Sequence, residues 1–342
     1  MEIERKKLLD ALTLARPGLA TSDVVEQASM FVFRKKDIVT FNDELCVRVM
    51  TKVGIEGAVQ AQELYALLSK LRAENVILET TDDELQVKTG KKSVAGIRLS
   101  TKVYLPIGDI NEAGDFEKLP EDFIKALQLT SQTAAKNASS TPVLASLHFI
   151  GNMVESCDNF RLTRYMFADD VEIPEFLLPI SVAKEVVKFE PTEFSVVEGW
   201  VHFRTSDGVW LSCRTLDPGP KGYPNLDNVV EVEGEDVTFP DGFEELLDQA
   251  SIFVDKSTVL DEFVSVEFKK KRVWVTSEGE KGWFQKDMPC DEGNPQCQFY
   301  VNPSFLASIL PLLSTATVGE NYMKLQGKNF LHCVCLHVPD EK

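Results

Sequence analysis

The chain has 342 residues, of which 44% are hydrophobic and 26% are charged, a composition typical of a folded globular protein and not of a disordered one. This length exceeds what one hydrophobic core usually serves, so two or three domains are expected. The net charge of -18 argues against a protein whose whole surface attracts nucleic acid, and any DNA contact should therefore be local.

Two further features concern targeting and the redox environment. The first residues contain no apolar segment followed by a small-residue cleavage site, and nowhere do about 18 uncharged apolar residues follow one another, so neither secretion nor membrane insertion is expected. The seven cysteines are odd in number and scattered through apolar segments, as is typical of reduced thiols. The sequence therefore predicts a cytoplasmic protein.

Amphipathic helices and β-hairpins alternate from the N-terminus onward. Apolar residues at three- and four-residue spacing predict one helix that begins near Arg5 and a second that begins near Ala61. Between them, residues 31–43 form a predicted hairpin whose first strand carries Phe33, and residues 76–99 form a further pair of strands. This order of helix, hairpin, helix and strand pair defines a first unit.

The same order recurs twice. The hairpins at 147–158 and 266–278 carry Phe149 and Phe268. The flanking helices are predicted to begin near Pro120 and Ser181 and near Gly242 and Pro303, with Pro120 at a first helical position, and the later strand pairs cover 193–216 and 322–338. Acidic linkers near 110–115 and 231–236 predict domains at 1–114, 115–234 and 235–342. Helices segregated from antiparallel strands predict the α+β class.

Three segments of the central unit resemble a known family. They are Ser-Cys-Asp-Asn-Phe-Arg-Leu at 156–162, Leu-Pro-Ile-Ser-Val-Ala-Lys-Glu-Val-Val at 178–187, and Leu-Asp-Pro-Gly-Pro-Lys-Gly-Tyr-Pro-Asn-Leu-Asp-Asn-Val-Val at 216–230. In order and spacing they resemble the bacterial sliding clamp, the beta subunit of the replicative DNA polymerase, over the whole chain. The family commonly has Gly-His at the position of Asn159-Phe160, which indicates a divergent member of cellular or viral origin.

The resemblance implies both a fold and a function. Three repeated clamp domains would form a half-ring, with helices lining the concave face and sheets outside, and two copies would close the ring as a homodimer. Such a ring holds double-stranded DNA topologically, without sequence-specific contacts, and tethers the replicative DNA polymerase. The chain would be an accessory subunit with no catalytic residue, metal or cofactor. Because it has no Gly-rich phosphate loop, ring opening would require a separate clamp loader.

A mildly basic lining is expected for such a ring. The predicted helices are slightly positive overall although the chain is acidic. The DNA-facing candidates are Arg5, Lys6, Lys7, Arg16, Lys70, Arg72, Lys125, Lys136, Lys184 and Lys188. The alternative is that they are ordinary solvated faces of amphipathic helices. The third unit departs from the pattern, because Glu244, Glu245 and Asp248 would repel phosphate unless they point away.

The resemblance also implies two protein-binding surfaces. The dimer contact would place Val94 and Ile97 of a first-unit edge strand against Ile252 and Phe253 of the third unit, with intrachain core as the alternative, chiefly for Ile252. A partner cleft would accept peptides with a Gln followed by apolar and aromatic residues. Its residues would be Cys157, Asn159, Phe160, Arg161, Leu162, Pro224, Asn228, Val229, Val334 and Leu336, and inter-domain core is the alternative for Leu162, Val229, Val334 and Leu336.

Other chemistry is considered and set aside. Ser181-Val-Ala-Lys184 matches the Ser-x-x-Lys pattern of serine acyl-enzymes, but no partner segment follows it, and Ser181 is instead expected to be a helix N-cap. Cys333, Cys335 and His337 alternate onto one strand face at about 7 Å per step, which is awkward for one tetrahedral metal ion and favours buried thiols. A clamp-fold interaction or decoy protein that does not encircle DNA stays open as the alternative function.

Overall fold

A computed structural model of the chain describes residues 1–21, 25–90, 93–136, 141–169, 171–256, 258–259 and 262–338. The contacts within it divide the chain into two compact units. Unit 1 comprises Met1–Ile124 and Phe176–Asp217, and unit 2 comprises Lys125–Glu175 and Pro218–Lys342. The three domain boundaries drawn from the sequence stay a prediction.

Seven α-helices occur in the described residues. They are α1 (Arg5–Ala15), α2 (Ala61–Lys70), α3 (Phe123–Thr130), α4 (Ile180–Phe189), α5 (Asp227–Val230), α6 (Phe243–Ala250) and α7 (Pro303–Ile309). The predicted starts at Arg5, Ala61 and Pro303 are confirmed, and α4 and α6 each begin within one residue of the predicted start. None of the helices described is long and apolar enough to cross a membrane.

Two details of the helix starts differ from the prediction. Pro120 is not a first helical residue, because α3 begins three residues later and the Pro120 carbonyl accepts a turn hydrogen bond from the Phe123 N–H at 3.1 Å. Ser181 is not an N-cap, because the cap of α4 is Pro179 and Ser181 lies within the first turn. The start of α7 does follow cap chemistry: the Asn302 side chain accepts the N–H groups of Ser304 and Phe305, and Pro303 follows at the first position.

The strands are numbered in chain order. The first twelve are β1 (Glu2–Glu4), β2 (Met30–Phe33), β3 (Asp37–Phe41), β4 (Leu45–Met50), β5 (Gly57–Gln60), β6 (Asn75–Thr80), β7 (Glu84–Thr89), β8 (Ser93–Ser100), β9 (Glu117–Lys118), β10 (Ser146–Gly151), β11 (Met153–Cys157) and β12 (Arg161–Met166). The others are β13 (Ile173–Pro179), β14 (Glu193–Val197), β15 (Trp200–Arg204), β16 (Val209–Arg214), β17 (Glu235–Thr238), β18 (Val264–Lys269), β19 (Arg272–Gly279), β20 (Gly282–Pro289), β21 (Cys297–Val301), β22 (Thr315–Val318), β23 (Tyr322–Gln326) and β24 (Phe330–His337).

Unit 1 is built on an antiparallel sheet in the order β1-β6-β7-β8-β5-β2-β3-β4-β16-β15-β14-β9. Helix α1 packs against β3 and β4, and α2 packs against β2 and β5. The two helices lie side by side, with the Thr13 hydroxyl 3.2 Å from the Tyr65 hydroxyl. After α1 the chain must approach β3 closely, since a Cβ atom at Gly18 would lie 2.3 Å from Thr40 Oγ1, and only glycine fits there.

Unit 2 contains a second sheet in the order β10-β11-β12-β24-β21-β18-β19-β20, and β17, β22 and β23 branch from it at β24. Strand β24 is long because it serves three neighbours. Its first part pairs with β12 on one side and β23 on the other, and its last two residues pair with β21. Helices α6 and α7 pack together over a core that includes Phe243, Leu247, Val266 and Leu306.

The repeated hairpins are confirmed. They appear as the pairs β2–β3, β10–β11 and β18–β19. Phe33, Phe149 and Phe268, the aromatic residues common to the three repeats, are each at most 1% exposed. A large side chain on the inward-facing position of each hairpin therefore anchors it to the core, which explains why the repeat is visible in the sequence.

The buried imidazole of His332 makes the stability of unit 2 dependent on pH. This residue is 2% exposed and its Nδ1 lies 2.9 Å from Thr163 Oγ1. Burial, assisted by the charge of Arg161, lowers the pKa of His332 to about 3. The folded state therefore keeps the ring neutral, whereas the unfolded chain binds a proton below pH of about 6.5. The contribution of the neutral His332 ring to the unfolding free energy is therefore complete above that pH and is lost progressively as the pH drops towards 3.

We expect His332→Gln to flatten this dependence. Relative to the protein at pH 7, the wild type should lose about 2 kcal/mol more unfolding free energy than the variant at pH 5, by linkage. Urea unfolding at pH 7, 6 and 5, followed through the unit 2 transition, measures the difference. His337→Gln, at a partly exposed ring of the same strand, is the control. Equal pH slopes in the wild type and His332→Gln would contradict the assignment.

Candidate functional site

The predicted cleft begins at the tight turn between β11 and β12. One oxygen of the Asp158 carboxylate accepts the N–H groups of Phe160 and Arg161 at 2.9 and 2.8 Å, and the other accepts the Arg161 guanidinium at 3.0 and 3.2 Å. The Asp-x-x-Arg sequence is thus a self-sufficient turn in which the acid organises the backbone and neutralises the base. It holds Asn159 and Phe160 at the tip.

The end of β24 lies beside this turn. The Cys335 N–H donates to the Phe160 carbonyl at 2.8 Å, and Arg161 is in register with Val334. The Arg161 guanidinium also stacks over the ring of Phe305 in α7, 4.1 Å from its centroid. Arg161 is therefore a fixed part of the wall, already paired with Asp158, and its side chain is not a free donor.

Two adjoining pockets occur here, both in unit 2. The first lobe has a volume of about 90 Å³ and is lined by Cys157, Asp158, Asn159, Phe160, Arg161, Leu162, Leu226, Val229, Tyr322, Cys333 and Cys335. The second lobe has a volume of about 250 Å³ and is lined by Phe160, Val259, Glu262, Phe263, Asn302, Phe305, Cys335, Leu336, His337 and Val338. Phe160 and Cys335 belong to both lobes, which together form one cleft.

Seven of the ten residues predicted for the cleft line it. Six of them line the first lobe, and Leu336 lines the second. Pro224 and Asn228 are exposed and line neither lobe. Val334 is fully buried in the core beneath α6 and α7. The prediction that Val334 lines the cleft is therefore corrected: side chains alternate along β24, and its neighbours Cys333 and Cys335 line the first lobe instead.

The wall formed by α5 is held by ion pairs of Arg164, one to an exposed and one to a buried carboxylate. Asp227, the first residue of α5, accepts a hydrogen bond from the Arg164 guanidinium at 2.9 Å. The same guanidinium donates to Glu155 at 2.8 Å, and the Glu155 side chain is only 4% exposed. Removing Arg164 would take the guanidinium away from a buried carboxylate and would release Asp227, so these ion pairs fix the place of α5 and of Val229 on it.

The network extends to the opposite wall. His148 lies 3.0 Å from Glu155 through Nδ1 and 3.2 Å from Glu175 through Nε2, and its ring stacks on Tyr223 at 4.5 Å. The Tyr223 hydroxyl accepts the Cys157 N–H at 3.1 Å. Tyr223 lies in one of the three segments that carry the family resemblance, but sequence reasoning missed its role because its hydrogen-bond partner lies 66 residues away.

The cysteines of the first lobe are neutral thiols. Burial raises the pKa of Cys157 to about 11 and that of Cys333 to about 12, and it also raises the pKa of Cys335. Within the described residues, no group of three or more His, Cys, Asp or Glu side chains is arranged to hold a metal ion. The thiols contribute soft apolar surface to the cleft.

Nine of the ten candidate DNA-facing cations are exposed. These nine are Lys6, Lys7, Arg16, Lys70, Arg72, Lys125, Lys136, Lys184 and Lys188. Arg5 is the exception, because its guanidinium donates to the carbonyls of Leu68 and Ala73 at 3.0 and 3.1 Å and thereby closes the C-terminal end of α2. Arg5 has a structural role in unit 1.

Some of the exposed cations already have a partner. Lys7 pairs with Glu4 at 3.1 Å, Lys188 pairs with Glu185 at 2.7 Å, and Arg16 lies over the ring of Tyr65. Exposed pairs of this kind are weak and can exchange for a phosphate. In the predicted third domain (235–342), Glu245 and Asp248 are exposed on α6 and Glu244 is half-buried. The acidic side chains of α6 therefore do face solvent.

The four predicted dimer residues differ in exposure. Val94 is 58% exposed and Ile252 is 71% exposed, so intrachain core is wrong for Ile252. Phe253 is half-buried and stacks on Phe284. Ile97 is only 7% exposed, so its side chain belongs to the core of its own chain and cannot be a main contact for a partner.

Both predicted dimer regions contain an open strand edge. Residues 93–98 of β8 pair with β7, and the described residues pair with β8 on its other side only at 99–100. Strand β20 pairs with β19 and ends the unit 2 sheet as described. At its start Trp283 is 70% exposed. An exposed edge with a large apolar side chain is available for another chain.

Ser181 is not arranged for nucleophilic catalysis. Its hydroxyl donates to the Glu44 carboxylate at 2.9 Å, which holds the proton in a hydrogen bond to an acid instead of delivering it to Lys184. Lys184 is exposed. The bond between Ser181 and Glu44 joins the start of α4 to the loop before β4, which is a structural role.

Comparisons with known proteins concern the fold. The sequence matches no known family model, and it matches no curated protein. Solved structures are similar over nearly the whole chain. A sliding clamp (DNA polymerase III subunit beta) from Pseudomonas aeruginosa bound to griselimycin has 13% identity, a TM-score of 0.85, and 99% of each chain covered.

Two more solved structures are similar to the same extent. The DNA polymerase III beta subunit from Thermotoga maritima has 18% identity and a TM-score of 0.80, and 99% of each chain is covered. The beta clamp of Helicobacter pylori bound to a DNA ligase peptide has 14% identity and a TM-score of 0.79, again with 99% of each chain covered. The chain therefore has the α+β fold of the DNA polymerase III beta subunit from end to end.

Proposed function

We propose that this chain is a DNA sliding clamp, an accessory subunit that encircles duplex DNA as a closed homodimer and tethers a replicative polymerase to it. One observation carries the proposal: the similarity to beta subunits covers 99% of both chains at TM-scores of 0.79 to 0.85. The similarity extends over the whole of those proteins instead of being limited to one domain. A separate clamp loader opens the ring, and the chain itself catalyses no reaction.

The charges of unit 1 support contact with DNA phosphates. Lys6, Lys70 and Arg72 are exposed, and within the described residues none of them has an ion-pair partner. These residues lie on α1 and at or just beyond the end of α2, the two helices packed side by side. A protein with net charge -18 needs such local cations to approach a polyanion, and a ring needs only weak contacts because closure retains the DNA.

Substitution of these cations by neutral residues should weaken binding to linear duplex DNA. We expect the triple variant Lys6→Gln, Lys70→Gln, Arg72→Gln to reduce the slope of log affinity against log salt, on linear duplex, by roughly 1 for each phosphate that is no longer neutralised. Fluorescence anisotropy with a labelled duplex at several salt concentrations measures it. Lys271→Gln, an exposed lysine paired with Glu292 in unit 2, is the control. Identical slopes for wild type and triple variant would remove these residues from the DNA surface.

Retention on circular DNA tests the function itself. After loading by an ATP-driven loader, the wild type should stay on nicked circular plasmid at high salt and leave once the plasmid is cut, because a topological link does not depend on charge. Gel filtration of labelled protein with the plasmid, before and after linearisation, measures retention. A preferred DNA sequence, or equal dissociation from circular and linear DNA, would overturn the proposal.

One observation favours a second function. The exposed Glu245 and Asp248 on α6 would repel phosphate if they faced DNA. A clamp-fold interaction or decoy protein would keep the partner cleft but not the ring around DNA. Such a protein would be absent from circular DNA in the plasmid experiment. It would still bind partner peptides in the cleft.

The homodimer is proposed to join the two open strand edges, β8 of one copy to β20 of the other. Ile252 and Trp283 are large apolar side chains exposed beside the β20 edge, and Val94 is exposed on β8. Burial of such side chains at the centre of an interface supplies much of its free energy. The open backbone groups of both strands would pair across it.

Substitution at this surface should separate the copies. We expect Val94→Asp with Ile252→Asp to give a folded monomer, since a charge replaces an apolar side chain on each side of the interface and neither side chain belongs to the core. Sedimentation velocity measures the mass. Leu312→Asp, at a leucine 54% exposed elsewhere in unit 2, should stay dimeric. A dimer that persists in the double variant would make this surface the wrong interface.

The cleft of unit 2 is proposed to bind partner peptides that carry a Gln followed by apolar and aromatic residues. Leu162 is only 2% exposed, so Val229 and Leu336, which are half-buried and line one lobe each, give the cleaner test. Each apolar anchor that the cleft buries is worth about 1.5 to 3 kcal/mol.

We expect Val229→Ala with Leu336→Ala to weaken binding of such a peptide by about tenfold or more, because the apolar surface of both lobes is reduced. Titration of a fluorescently labelled peptide measures affinity, and circular dichroism verifies folding. Leu312→Ala serves as the matched control. Unchanged affinity in a folded double variant would exclude the cleft as the peptide site.

A further inference from the structure

The second lobe contains one carboxylate among mainly apolar groups. Phe263, Phe305 and Leu336 supply much of its surface, and Glu262 lies with them at the lining. Glu262 is half-buried, so its charge is only partly hydrated. A charge placed in an otherwise apolar pocket costs free energy unless it is paired, which makes the partners of this carboxylate informative.

Glu262 is held by an amide and not by a cation. The Asn302 Nδ2 group donates to Glu262 Oε2 at 3.3 Å. Asn302 is itself fixed, because its side-chain oxygen accepts the N–H groups of Ser304 and Phe305 at the start of α7. Within the described residues, no lysine, arginine or histidine nitrogen lies within 4.0 Å of the Glu262 carboxylate. The N-cap residue of α7 therefore orients a carboxylate whose charge is not neutralised.

The ionisable groups near the cleft do not supply a positive charge that neutralises Glu262. Arg161 is paired with Asp158 and stacked on the Phe305 ring. His337 lines the same lobe with its ring stacked on Phe263 at 4.0 Å. The first lobe is thus balanced by its own ion pair, whereas the second lobe carries an excess negative charge.

We propose that the second lobe selects a basic side chain, so that partner peptides carry a Lys or Arg next to the apolar and aromatic residues that fill the cleft, and that Glu262 is the residue that determines this preference. This inference rests on the proposed peptide-binding function. A lysine ammonium or arginine guanidinium would form a charge-assisted hydrogen bond with the oriented carboxylate, and the surrounding apolar groups would limit its exposure to water. An acidic side chain in the same place would be repelled.

The net charge of the chain must be separated from this local effect. At -18 the whole protein attracts basic peptides and repels acidic ones wherever they bind. Only a preference that depends on Glu262 supports the proposal. A substitution of another exposed glutamate changes the net charge equally and shows the size of the general effect. Glu320, exposed in unit 2 and outside both lobes, provides that control.

The experiment uses three peptides with one core, Gln-Leu-Leu-Phe, flanked on both sides by Lys, by Gln or by Glu. Each is titrated against the wild type, Glu262→Gln, Glu262→Lys and Glu320→Gln at low and moderate salt. We expect the wild type to bind the Lys peptide about tenfold more tightly than the Glu peptide at low salt, and Glu262→Gln to reduce this ratio to about threefold or less. Glu320→Gln should keep the wild-type ratio, and Glu262→Lys should lower the ratio further, towards equal binding of the Lys and Glu peptides.

Two outcomes would overturn the inference in different ways. If the Gln-flanked peptide binds, loses affinity in the Val229→Ala, Leu336→Ala variant, and yet shows the same Lys-to-Glu ratio in the wild type and Glu262→Gln, the cleft is the peptide site and Glu262 has no selective role. If the Gln-flanked peptide fails to bind the wild type, the proposed peptide-binding function fails and this inference fails with it.

Discussion

The structure of the candidate cleft depends on one interaction, the antiparallel pairing of β12 with β24. The two strands lie more than 160 residues apart in the chain, yet Arg161 to Tyr165 are in register with Val334 to Phe330. Their pairing brings the turn at Asp158 beside Cys335 and Leu336 and so creates both lobes. Without it the turn and the end of β24 would be separate surface features with no shared pocket.

The charged side chains behind the cleft are paired with one another. This pairing adds little to the stability of the fold, but it fixes the position of the cleft walls. Glu155 is buried with Arg164 and His148, and such an arrangement gains little over a well-packed apolar core, although breaking it costs several kcal/mol. The use is positional: Arg164 fixes the start of α5 through Asp227, and His148 supports Tyr223 behind Cys157. A binding site made of small apolar pockets needs walls held to within a fraction of an ångström.

The distribution of charge is consistent with the proposed contact between the chain and DNA. Exposed cations on α1 and at the end of α2 stand out from a chain of net charge -18. Weak and local attraction suits the proposed sliding ring, because many strong phosphate contacts would hold such a ring in place. The same acidity favours basic partner peptides in general, and the oriented carboxylate of Glu262 would make that preference specific to the second lobe.

The sequence by itself determined the features that rest on short-range patterns. The three hairpins, the starts of α1, α2 and α7 and the α+β class follow from periodicity and from side chains a few residues apart. The resemblance in three short motifs identified the fold. Seven of the ten residues predicted for the cleft line it, and these seven belong to those motifs or to the final strand.

Only the tertiary structure decided which residues of β24 line the cleft, why Arg5 is used inside unit 1, and where Glu262 is held. These depend on contacts between residues far apart in the chain, such as Arg5 with Leu68 and Phe160 with Cys335. Local periodicity gives the alternation of a strand but not its register against a distant partner. Val334 was expected in the cleft, but it is packed in the core of unit 2, and its neighbours Cys333 and Cys335 line the first lobe.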